Sequence, residues 1–174
     1  MLIWIDNFPA IPLTLLLYQP ITALISNRKK LSIKNKTIME KYLWIAGSLP
    51  FIILGSIHLL YTFFTNKLDS RSKTLNSEMT RSFLVLTTAT NMWKAWKGFN
   101  ASHSSGTIYF GLVNMVLALQ YPMLMQNSLL QSATVIAAGF YVWLAKNFWF
   151  RIPFIGMLIS FACFLYAVVL NLGN

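Results

Sequence analysis

LWIAGSLPFIILGSIHLLYTFF, residues 43–64, decides the fold class. The stretch carries no Lys, Arg, Asp or Glu. At 1.5 Å of rise per residue it is long enough to cross roughly 30 Å of hydrocarbon as a helix. Working outward, the whole chain shares its character. Hydrophobic residues make up 56% of the 174 residues, charged residues 10%, and the mean hydropathy is +0.58. A soluble domain carries roughly a quarter charged residues, so the composition points to a membrane protein. At this length there is room for one bundle and for no separate soluble domain of usual size.

Downstream, residues 104–125 read as a second span that ends near Pro122. Residues 132–150 read as a third, with Lys146 close enough to its end to snorkel. Arg151 and Pro153 mark a turn, and 153–172 read as a fourth. Ala133 with Ala137, and Gly156 with Ser160, are small pairs that allow close helix approach. Between the first two spans the pattern predicts an amphipathic helix over 80–99, lying at the membrane surface. Thr80, Thr87, Asn91, Lys94 and Gly98 fall on one face of it, and Phe83, Leu86, Trp93 and Trp96 lie elsewhere. Gly98 is placed to end that helix, with Asn100 or Ser102 capping the next. The fold expected is therefore all-α: a polytopic membrane bundle of about four transmembrane helices plus one interfacial helix. The count rises to five or six if 8–26 or 83–99 also cross.

Upstream, residues 1–42 read as an apolar arm and a basic linker, and 43–174 as the membrane domain. Pro9, Pro12 and Pro20 interrupt the arm, and Asp6 sits near its start. Proline removes a helical hydrogen bond, so the arm is expected to be kinked and interfacial or half-inserted, with a true span as the alternative. No basic region precedes the apolar run, against a standard signal peptide, and Met39 offers an alternative start. Residues 27–42 hold Arg28, Lys29, Lys30, Lys34, Lys36 and Lys41 against Glu40 alone.

The formal net charge is +10. Its basic residues flank apolar runs, which fits orientation signals and anionic lipid headgroups. A nucleic-acid partner would need a basic face on a soluble fold, and none is legible. Lys67, Arg71, Lys73, Arg81, Lys94, Lys97, Lys146 and Arg151 fall on one side of a four-span topology, against the six of 28–41. The positive-inside rule thus leans towards a cytoplasmic second side. The single cysteine, Cys163, excludes an intrachain disulfide and a thiolate zinc cluster.

Chemistry concentrates in GFNASHSSG, residues 98–106, and in the stripe Ser48, Gly55, His58 and Thr62. Polar groups are costly against lipid, so that stripe faces the bundle interior. His58 lies about 9 Å in from the end of the first span at helical rise, and His103 opens the second. Both sit at one membrane side. A histidine pair can act as acid and base, as ligands or as a proton relay; each can also be a structural hydrogen bond between helices. His58 and His103 are the candidate catalytic residues. Arg81, Asn91, Trp93, Lys94, Trp96, Asn100, Ser102 and Ser104 are the candidate ligand-binding residues, with Phe99 as an apolar wall. Interfacial anchoring is the competing reading of the two tryptophans, and snorkelling that of Lys94. Asn114 and Gln120 read as helix–helix hydrogen bonds. No HExxH, P-loop or GxGxxG is present. The carboxylates Asp6, Glu40, Asp69 and Glu78 are too few and too scattered for a triad or a di-iron site. No metal site is expected.

The segment MWKAWKGFNASHSSG at 92–106, followed by FGL at 110–112, resembles a signature of small uncharacterised bacterial membrane proteins of about four spans. GSIHLL at 55–60 is similar too. The resemblance covers roughly residues 43–125. It implies a bacterial four-helix membrane protein, placed in the inner membrane, and implies no activity.

The leading expectation is binding or processing of a small lipophilic molecule at one membrane face. The pocket would lie between the first two spans, roofed by the 80–99 helix, with Arg81 and Lys94 engaging an anionic group. One alternative is a haem- or quinone-linked electron carrier using His58 and His103 as axial ligands. Another is a small transporter or channel subunit, which would require homo-oligomerisation, and a structural membrane partner is a third. Membrane lipids are the expected partners in all of these.

Overall fold

The computed structural model describes residues 13–172, with side chains described at Leu24 and from residue 26 onward. Helices account for nearly all of it: α1 (Leu13–Phe64), α2 (Lys73–Arg81), α3 (Met92–Gln120), α4 (Ser128–Phe148) and α5 (Arg151–Leu172), with a 3-10 turn at Leu124–Gln126. Among the described residues the only β pairing is an isolated bridge between Phe83 and Asn91. Ser26–Phe64, α4 and α5 are long and apolar enough to cross a membrane.

The chain divides into two compact units, residues 1–38 and 39–174. In the first, residues 13–38 are helical. The features expected at Asp6, Pro9 and Pro12 lie outside the described residues. Residues 27–42, expected as a linker, are helix instead. From Ile21 to Ala46 the chain has neither Gly nor Pro, and Lys, Arg, Leu, Met and Glu are good helix formers. Charge density solvates such a stretch without breaking it.

In the second unit the inward positions step by threes and fours. Trp44, Ser48, Phe51, Gly55 and Thr62 are buried on α1. Ser104, Thr107, Gly111, Asn114 and Ala118 are buried on α3. Gln131, Thr134 and Ala138 are buried on α4, and Met157, Ser160, Phe164 and Ala167 on α5. Alternating steps of three and four keep one seam facing the partner helices, as in antiparallel bundles. Contacts close the ring: Gly111 against Ile52 joins α3 to α1, Thr134 to Asn114 joins α4 to α3, α4 packs on α5, and Trp44 against Phe164 joins α5 to α1.

Large apolar side chains point the other way. Ile53 is 51% exposed, Tyr109 71%, Ile136 72% and Ile155 53%. Small and polar residues inside beside the rings of Trp44, Phe51 and Phe164, with many large apolar ones outside, depart from the soluble pattern and suit a lipid solvent. Lipid is as apolar as leucine, so association rests on packing and interhelical hydrogen bonds. At the waist each of the four helices supplies one ring. Phe51 stands 4.7 Å from Phe110, 5.2 Å from Tyr141 and 6.4 Å from Phe164 by ring centroids. Asn114 holds its own helix through the Phe110 carbonyl and accepts from Thr134. Ser160 is fully buried and its hydroxyl has no hydrogen-bond partner.

Two sequence expectations are corrected here. No helix spans 80–99. Residues 82–91 are irregular, and α3 starts at Met92 with Asn91 as its N-cap, accepting from the Lys94 amide at 2.9 Å. Val85, Thr87, Thr88 and Thr90 are β-branched and lose side-chain freedom in a helix. Nor does Gly98 end a helix. Its cost of about 1 kcal/mol relative to Ala is small against the long helix that continues to Gln120. Asn100 and Ser102 bond back to the Trp96 and Phe99 carbonyls rather than capping. Pro122 stops α3, because the residue before a proline avoids helical backbone. Of the small pairs, Ala133 is exposed and Ala138 takes the seam, whereas Gly156 lies against Leu54 and Pro50.

Candidate functional site

The C-terminal ends of α1 and α4 meet the N-terminal ends of α3 and α5 at one end of the bundle. The register there is set by Gly55. A Cβ at that position would stand 2.9 Å from Ile108 Cγ1 and 3.2 Å from the Ser104 carbonyl oxygen, so only hydrogen lets α3 come this close. The approach brings Asn100, one turn before Ser104, opposite His58. Asn100 Oδ1 lies 2.9 Å from His58 Nε2. The Asn100 amide nitrogen donates to the Trp96 carbonyl, which leaves Oδ1 to accept. In a neutral His58 ring the proton on this bond is carried by Nε2, and Nδ1 is the acceptor.

His103, nearly one turn further along α3, completes the pair. Its ring centroid is 5.9 Å from that of His58, with planes 82° apart. Trp149, in the two-residue turn between α4 and α5, presents its ring edge-on at 4.9 Å. Tyr141 is 6.1 Å away. The His103 ring thus stands among the rings of His58, Tyr141 and Trp149. Ser104 and Thr107 donate their hydroxyls to carbonyls one turn back, of Asn100 and His103, so their oxygens remain as acceptors only.

These groups line a cavity of about 610 Å³, within the range of small-ligand sites, roughly 300–1,000 Å³. Its walls are mostly apolar: Leu54 and Ile57 from α1, Leu68 from the following loop, Phe99 from α3, Phe148 to Phe150 around the turn, and Ile152, Pro153 and Met157 from α5. Tyr61 lines it as well. Among the described residues no carboxylate lines it, so these offer two imidazoles without the acid that a nucleophilic triad needs. Among the described residues no three His, Cys, Asp or Glu side chains gather as a metal site. Any group ligated by both histidines would take His58 through Nδ1, unless the bond to Asn100 is given up.

The structure brings together His58, Phe99, Asn100, His103 and Ser104 from the sequence candidates. The others lie outside the cavity. Arg81 and Lys94 are exposed. Asn91 is the α3 cap and also donates to the Thr80 carbonyl. Ser102 faces outward. Trp93 and Trp96 stack on each other at 5.4 Å and 16°, with Lys97 Nζ 5.1 Å above the Trp93 ring. The expected helical roof is replaced by Leu68 and the aromatic turn. Sequence reasoning passed over Tyr61, Leu68, Thr107 and the run Phe148-Trp149-Phe150. The signal for the run was present: three aromatic residues in a turn that returns to the side of the histidines. Comparison with protein-family models, with curated proteins and with solved structures finds no match to this chain.

Proposed function

We propose that this is a four-span integral membrane protein that holds a small lipophilic molecule in the cavity at one end of its bundle. One observation carries the reading: an apolar, aromatic-walled space of about 610 Å³ into which two imidazoles project without a carboxylate partner. Such a site favours an apolar body with one or two polar atoms, bonded by His58 Nδ1 and His103. α3 is the fourth span in this reading. Its outward residues Tyr109, Leu112, Val113, Val116 and Leu119 are exposed and mostly apolar. Its inward Ser104, Thr107 and Asn114 are polar. The stacked Trp93–Trp96 pair suits the headgroup region, where tryptophan is enriched. The resemblance of residues 92–112 to small bacterial membrane proteins supports a bacterial inner membrane.

The test is mass spectrometry of gently purified protein, with an absorbance spectrum on the same sample. The expected result is one lipophilic molecule per chain, reduced about tenfold in His103→Ala, the change expected from losing one buried hydrogen bond and its ring contacts. Protein without a lipophile, or occupancy unchanged in both His58→Ala and His103→Ala, overturns the reading. A Soret band lost in those variants replaces it with haem ligation.

A further inference from the structure

The α1–α5 seam closes below the cavity, where Leu54 packs on Gly156. Above that contact Ile57 and Tyr61, the next positions of the same α1 face, line the cavity instead. So do Ile152 and Pro153, the preceding residues of α5. The cavity therefore reaches between α1 and α5, whose outer faces are apolar.

Two cations neighbour these lining residues. Lys67 Nζ donates to the Tyr61 hydroxyl at 3.2 Å and lies 4.5 Å from the centre of the Tyr61 ring. Leu68, its neighbour, lines the cavity. Arg151 opens α5 between Phe150 and Ile152, both of which line the cavity, and it is exposed. Among the described residues neither cation is paired with a carboxylate. Asp69 is the one acid next to a lining residue.

We infer that the molecule held in the cavity is an anionic amphiphile drawn from the bilayer, its tail in the α1–α5 seam and its head at Lys67 and Arg151. The inference rests on the lipophile reading above and adds the charge of the head and the route of the tail. A cation held at the edge of an apolar slot attracts a charged head far more than a neutral one, because partial desolvation strengthens the pairing.

The experiment is calorimetric titration of the full chain in a non-ionic detergent with hexadecanoate, hexadecanol and inorganic phosphate. Hexadecanoate is expected to bind at least about tenfold more tightly than hexadecanol, the size of one charge-assisted hydrogen bond. The double substitution Lys67→Gln/Arg151→Gln removes that preference and leaves hexadecanol unchanged, whereas Asp69→Asn strengthens hexadecanoate binding. Both cations are exposed, so the double variant keeps the fold, which its unchanged hexadecanol binding verifies. Equal binding of the acid and the alcohol, or an acid preference that survives the double substitution, overturns the anionic head and leaves the lipophile reading intact. Failure of both tailed compounds overturns both. Phosphate binding as tightly as hexadecanoate replaces the bilayer amphiphile with a soluble anion.

Discussion

The two ends of the bundle are built from the same helices and differ in what fills them. At the closed end α3 turns into α4 through Tyr121–Asn127, a link without a charged residue. Gln131 pins that link by donating to the Met125 carbonyl at 2.7 Å. Inward of it, Trp44, Phe51, Phe110 and Phe164 pack ring against ring. At the open end the same seam positions carry Gly55, His58, Asn100 and Ser104, which are too small or too polar to fill the space. The α1–α3 connection there covers residues 65–91, with Lys67, Arg71, Lys73 and Arg81 in it. One end is packed ring against ring, and the other is left hollow. A membrane bundle gains little from burying apolar surface between helices, so a tight aromatic waist is what allows the open end to stay hollow.

The largest test of that contrast is a pair of phenylalanines. Phe51→Ala should cost about 3–5 kcal/mol, the range for truncating a buried aromatic. Phe99→Ala should stay within about 0.5 kcal/mol, since Phe99 is 73% exposed. Unfolding in detergent measures both, and equal losses would erase the distinction between the ends. Next in size is a pair of tryptophans. Trp149→Ala should reduce co-purified lipophile about tenfold, through the lost ring contact. Trp93→Ala should change it by less than about twofold, because it stacks outside the cavity. If quantitative lipid analysis found the reverse order, the cavity would be closed by the polar segment and not by the α4–α5 turn. The smallest expected effect is at Ser160. Removing its unpaired hydroxyl by Ser160→Ala should be neutral or stabilising by up to about 0.5 kcal/mol, read by the same unfolding assay. A clear loss would mean that the hydroxyl has a bonding role at the waist.

The helical class and some element ends were legible because they depend on local chemistry. The apolar runs give lengths, Pro122 and Pro153 give a stop and a start, and residues 153–172 fall within α5 as expected. The amphipathic reading failed over 83–91, where Phe83 to Leu86 are apolar and Thr87, Thr88, Thr90 and Asn91 polar, because β-branched Val85, Thr87, Thr88 and Thr90 oppose a helix. It failed again at Gly98, where a glycine that looks like a stop lies within a longer helix. The histidines stood out in the sequence because ionisable groups are rare in an apolar chain. Their partners were less visible. Asn100 could be named as a candidate, but its pairing with His58 depends on how closely Gly55 lets two helices approach.

The sequence by itself determined that the chain is helical and apolar enough for a membrane, with its two histidines on one side, because hydropathy and helix-breaking act over a few residues at a time. Only the tertiary structure decided which polar residues share a space. Side chains 42 positions apart meet at His58 and Asn100, and a turn at Trp149 closes over His103. Those meetings follow from helix register and the close approach at a glycine, which no local pattern encodes.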